Sequence, residues 1–139
     1  MKTSSFSKQS RAKFDGAVSI SVGQPKYVKV SLKYGALAPR WDLLNAFRND
    51  EITEAQYIVS YNAMLSKLNA KKVFDELHHY CDGSEPVLLC HCGIKDFCHR
   101  HLAAEWLEKE LGIQIDEVND TIATRKNGRL SRPEQQILF

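Results

Sequence analysis

Val87-Leu-Leu-Cys-His-Cys-Gly-Ile-Lys-Asp-Phe-Cys-His-Arg-His101 holds three of the chain's four cysteines and three of its five histidines. Its first four residues form an apolar run of the kind that makes a strand buried on both faces, as in parallel sheets. Beyond the polar turn, Leu102, Ala103, Trp106, Leu107 and Leu111 mark one face of a helix, and Gly112 follows as a left-handed stop. Ile113, Ile115 and Val118 suggest a further strand. Residues 87–118 therefore read as a βαβ unit, right-handed by the usual rule. A strand that runs into nucleophilic side chains and then a helix is how open α/β sheets present ligand sites.

Working outward, Gly16-Ala-Val-Ser-Ile-Ser-Val-Gly23 sets Val18, Ile20 and Val22 against Ser19 and Ser21, the period-two pattern of a strand with one buried face. Tyr27-Val-Lys-Val-Ser-Leu32 repeats it more briefly as an edge-like strand. Pro39 stands where a first helical turn tolerates proline, and Trp41, Leu44, Ala46 and Phe47 carry a helix through Arg48. Thr53 and Gln56 have capping-box spacing, which predicts a helix start with Tyr57, Ile58, Tyr61, Met64, Leu65 and Leu68 on its inner face. Asn69 interrupts before Val73, Phe74 and Leu77 continue in another helix. The fold predicted is α/β: a small three-layer-like domain with a short, mostly parallel sheet flanked by helices.

The 139 residues suit one domain, and 43% apolar against 26% charged residues is ordinary for a globular protein. Charge is uneven: residues 1–14 carry four basic and no acidic side chains, residues 120–139 four basic and two acidic, and the body is mildly acidic. The division expected is a basic N-terminal extension over 1–14, a single α/β domain over 15–119 and a basic C-terminal tail over 120–139. Basic tails can touch phosphate backbones, but solvated termini of this composition are commoner, so nucleic acid is not the favoured partner. No apolar run reaches the length of a membrane helix, and no secretory signal opens the chain, so the expectation is a cytoplasmic protein with reduced thiols and no membrane partner.

If residues 87–92 are extended, Cys90 and Cys92 project to one face and His91 to the other. Cys98 lies near the start of the following helix, where unpaired amides and the helix dipole favour an anion and lower a thiol's pKa. Cys98, His99 and Cys92 are the catalytic candidates, and Arg100 is suited to bidentate contact with phosphate or carboxylate. Three chemistries compete. Cys90, Cys92, Cys98 and His99 or His101 offer donors for zinc or iron, but the spacing lacks the paired C-x2-C knuckles of common sites, so no metal or other cofactor is assigned. His91-Cys92 begins like the phosphatase signature His-Cys, five residues, Arg, yet the arginine position is Cys98 and Arg100 arrives two residues late. The third chemistry is binding of an anionic or nucleotide-like small molecule at the strand end and helix start, with thiols and His99 as contact or acid-base groups. Structural roles weigh against these: Cys90 and Cys81 as buried core residues, Asp96 as a helix cap, His78 and His79 as surface residues.

The chain is similar to a bacterial and phage family known as domain of unknown function 488 (DUF488). The likeness rests on Gly16-Ala-Val-Ser-Ile-Ser21, Pro25-Lys26, Leu37-Ala-Pro-Arg-Trp41 with Leu43-Leu44, the Ile52 to Leu68 helix, Val87-Leu-Leu-Cys90, Cys98-His-Arg100 and Ala104-Glu-Trp-Leu107. The resemblance implies a compact α/β fold but no established reaction. It puts Cys90, Cys98, His99 and Arg100 on recurring positions, whereas Cys92 stands where similar proteins often have an acidic residue. It also implies a shared cleft lined by Ser21, Gly23 and Lys26 with Lys33, Tyr34 and Trp41. The ligand-binding candidates are thus Cys90, Arg100, Ser21 and Lys26. A non-enzymatic interaction module, phage- or defence-related, is the competing class, with its protein partner unidentified.

Overall fold

A computed structural model describes residues 1–91, 97–119 and 124–131. In chain order these form β1 (Lys2–Ser5), α1 (Phe6–Ala12), β2 (Ala17–Ser19), β3 (Leu32–Lys33), a 3-10 turn (Gly35–Leu37), α2 (Trp41–Arg48), α3 (Glu54–Ser66), α4 (Ala70–Tyr80), β4 (Val87–Cys90), α5 (His99–Leu111), β5 (Asp116–Glu117), β6 (Thr124–Lys126) and β7 (Arg129–Ser131). The sheet has the order β3-β2-β4-β1-β5 with every pairing parallel; β6 and β7 make a separate antiparallel hairpin. The protein is therefore α/β, as the strand and helix periodicities predict. None of the described helices is long and apolar enough to cross a membrane.

Two apolar layers sandwich the sheet. Leu88 faces α3, α4 and α5 among Tyr57, Tyr61, Leu65, Leu77, Leu102 and Leu107, whereas Val87 and Leu89 face α1 at Phe6 with Val28. The alternation within one four-residue run is the pleat of a strand buried on both faces. Leu88 and Leu89 are both fully buried, and burial of a leucine contributes roughly 1.5–3 kcal/mol. Gly16 is required where β2 enters the sheet, because a Cβ there would collide with the backbone carbonyl of Glu85. The chains at that point are tied by the Val87 amide donating to the Gly16 carbonyl at 2.8 Å.

The helix boundaries follow local chemistry. Thr53 and Gln56 make the reciprocal capping box at α3, Asn69 caps α4 through its side chain, and Gly112 ends α5 at φ 64. The ends of the chain differ from their expected roles. Lys2–Ser5, counted above with a basic extension, is the strand between β4 and β5, and Ser5 caps α1 by accepting from the Lys8 amide. Within the expected C-terminal tail, residues 124–131 form the β6–β7 hairpin, with Asn127 and Gly128 at φ 53 and 78 in its turn. The strand expected over Tyr27–Leu32 pairs only at Leu32 and Lys33, and Tyr27 is 70% exposed.

Candidate functional site

The connections leaving β1 and β4 go to opposite faces of the sheet. Helix α1 follows β1 and packs on the Phe6 side, while α5 follows β4 on the Leu88 side. The two strands are adjacent, with Ser5 opposite Cys90 at their carboxyl ends. Adjacent strands whose connections diverge open a crevice outside those ends, the place where open α/β sheets take ligands.

Cys90, Cys98 and Arg100 meet beneath that edge, within the packed interior. The sulfurs of Cys90 and Cys98 lie at bonding distance as a disulfide, and the Arg100 Nη1 donates to Cys90 Sγ at 3.0 Å. Both cysteines are buried and the Arg100 side chain is wholly so. Arg100 also makes the bidentate contact its chemistry predicts, but to an internal carboxylate: Nε and Nη2 donate to Glu117 Oε1 and Oε2 at 3.2 and 2.9 Å. Thr3 donates its hydroxyl proton to Glu117 Oε1 at 2.6 Å. Arg125, from β6, donates to Thr3 Oγ1, to the Ile115 carbonyl and, at 3.1 Å, to His101 Nδ1. Breaking a buried, hydrogen-bonded ion pair of this kind leaves an uncompensated charge, so the network is rigid.

The histidines follow from their partners. His99 Nε2 sits 2.5 Å from the Ile20 carbonyl, which can only accept, so Nε2 carries the proton. Burial, reinforced by Arg100 and His91, depresses the His99 pKa to about 4, the Ile20 carbonyl opposing. The ring is thus neutral near pH 7, and its Nδ1 lone pair lies 4.0 Å from Cys98 Sγ. His101 is held neutral more strongly, at about 2, by burial and then by Arg100, Arg125 and His99. With Nδ1 accepting from Arg125, its proton is on Nε2, which has no hydrogen-bond partner among the described residues.

Other candidates fall in several places. His91 Nε2 donates to the Gly23 carbonyl at 3.2 Å while its ring packs edge-on to Phe6. His91 and His99 between them tie the loop after β2, which carries Ser21 and Lys26, to the cysteine segment. Ser21 is half-buried and Lys26 exposed. Trp41 is 59% exposed at the start of α2, and Tyr34 donates to Glu76 at 2.6 Å. Cys81 is free and buried, packed in the main core, and burial raises its thiol pKa. Cys92 and Asp96 lie outside the described residues, as do Ile137 to Phe139. Among the described residues no three His, Cys, Asp or Glu side chains group to hold a metal ion. A cleft of about 550 Å³ lined by Gln9, Lys13, Phe14, Tyr27 and Lys29 sits at the far end of α1 and shares no residue with the cysteine cluster.

Thr3, Glu117 and Arg125 were not singled out in the sequence. Thr3 and Glu117 give no signal, since each lies in a strand too short to show a pattern. Arg125 has one local signal: Arg125-Lys-Asn-Gly-Arg-Leu130 contains an Asn-Gly pair, the residues a two-residue hairpin turn favours.

The fold and cluster define a parallel-sheet α/β domain with a buried cysteine pair, imidazole and guanidinium group at the carboxyl edge of its central strands. Residues 7–111 match the family DUF488-N3a, described as the active DUF488-N3 subclade, and the chain belongs to it. No curated protein and no solved structure matches the chain.

Proposed function

We propose that this domain binds an anionic or nucleotide-like small molecule in the crevice outside β1 and β4, with Cys98 as its reactive group. One observation supports this above the others: Cys90, Cys98, His99 and Arg100 converge at the point where the sheet's connections diverge. Reduction of the Cys90–Cys98 bond by a dithiol, with two electrons and two protons, gives two thiols. His99 Nδ1, unprotonated near pH 7, is then placed to accept a hydrogen bond from the Cys98 thiol, and Arg100 stabilises a thiolate at Cys90. In a cytoplasmic chain, a disulfide is usually transient and serves catalysis or redox sensing.

The test is timed alkylation of the reduced protein at neutral pH, mapped by peptide, with and without millimolar inorganic phosphate or nucleoside monophosphates. Cys98 or Cys92 should react faster than a free-thiol control and be protected by at least one anion. Uniformly slow labelling, unaffected by any anion, would sink the proposal.

A second reading makes the cluster a structural knot joining β4, α5 and β5, and the complete burial of Arg100 against Glu117 favours it. It predicts that paired Cys90→Ser and Cys98→Ser substitutions lower stability, with no anion protection to lose.

A further inference from the structure

Beyond the family-matched span, the β6–β7 hairpin grips the cysteine cluster at two points. The Gly128 carbonyl accepts from the Cys98 amide at 2.9 Å, which fixes the residue that opens α5. A Cβ on Gly128 would stand 2.5 Å from the Phe97 ring, and φ there is +78, so glycine is needed for this approach. At the second point Arg125, whose side chain is 5% exposed, reaches past the hairpin into the interior.

Arg125 has a defined place in the chain of hydrogen bonds. It donates to Thr3 Oγ1, leaving the single Thr3 proton for Glu117. Glu117 holds the guanidinium of Arg100 by two nitrogens, and the third nitrogen of Arg100 points at Cys90 Sγ. Such a series polarises each member through the last. Arg125 also sets the tautomer of His101, one turn along α5 from Cys98. Glu108, 3.8 Å away at the partly open edge of the network, and the carboxylates of Glu117 and Asp116 favour the charged Arg125, while the Arg100 guanidinium opposes it.

We infer that Arg125 is a positioning residue of the cysteine site: through Thr3 and Glu117 it aims Arg100 at Cys90 and so sets the acidity of the Cys90 thiol. This rests on the thiol chemistry proposed above. It assigns the hairpin, which lies outside the residues 7–111 matched to the family, a working role in the site.

The experiment is a pH titration of thiolate ultraviolet absorbance in the full chain carrying Cys81→Ser, Cys92→Ser and Cys98→Ser, so that Cys90 is the sole thiol. To this parent are added Arg125→Met, Arg125→Lys or Thr3→Val, with thermal melts to establish folding. Arg125→Met and Thr3→Val should raise the Cys90 midpoint by about half a unit or more, because the cation's hold on the thiolate weakens. Arg125→Lys should recover most of the Arg125→Met shift. If Arg125→Met does not fold, Thr3→Val and Arg125→Lys decide the matter. A parent already titrating at the ordinary thiol value overturns the Arg100–Cys90 contact beneath the inference. A depressed parent with unmoved folded variants overturns the role of Arg125 alone.

Discussion

Arg100 and Glu117 form a two-nitrogen ion pair at 3.2 and 2.9 Å in which both side chains are almost completely withdrawn from solvent. A pair so placed is more expensive to break than to replace, since removal of either partner leaves the other charged, buried and less compensated. Glu117→Ala should therefore destabilise the protein by about 3–5 kcal/mol, measured by urea unfolding. A loss below 1 kcal/mol would show that solvent reaches the site.

His99 is neutral in the fold because of its burial, and His101 likewise. Both have folded pKa values, about 4 and about 2, below the ordinary 6.5. The unfolded chain therefore binds more protons in this range, and stability contributed above pH 6.5 is lost as pH falls toward the folded values. Between pH 7 and 5 each histidine should cost about 2 kcal/mol. Melts in that interval should show the decline, and His101→Phe should flatten it; a flat wild-type profile would contradict buried, neutral rings.

The Nδ1 lone pair of His99 faces Cys98, while Nε2 is engaged with Ile20. His99→Gln keeps a donor for the carbonyl but removes the ring nitrogen that accepts from the Cys98 thiol. Alkylation of reduced Cys98 at neutral pH should slow on the order of 10–100-fold, with the pH profile displaced upward. An unchanged profile would remove His99 from the chemistry.

Thr53 gives a local measurement free of the site. Its hydroxyl accepts from the Gln56 amide at 3.1 Å, and Gln56 returns a contact to the Thr53 amide at 2.8 Å. Thr53→Ala should cost about 1 kcal/mol in denaturant unfolding without altering cysteine reactivity.

Where a segment's pattern was long enough, sequence was a good guide. The β4 strand, the α3 capping box and the Gly112 stop all rest on residues whose local chemistry declares them. Lys2-Thr-Ser-Ser5 does not: its small polar residues lack strand alternation, and they are buried only because β4 and β5 flank them. Glu117, in a two-residue strand, carries no pattern either. Its partner is 17 residues earlier in sequence and visible only once α5 folds over the sheet. Arg100 shows the subtler failure, because its bidentate capacity was readable and the carboxylate that occupies it was not.

The position of β1 also has a consequence for how the chain is made. Lys2 pairs with Val87 and with Asp116, so β1 leaves the ribosome some 85 residues ahead of the first neighbour it will bond. Until then its backbone amides have no sheet to join, and the inner part of the sheet cannot close from the front of the chain backward. Nascent chains shorter than β4 should accordingly be held open or in the care of a chaperone, and assembly should be slow for so small a domain, governed by long-range strand docking rather than by its helices.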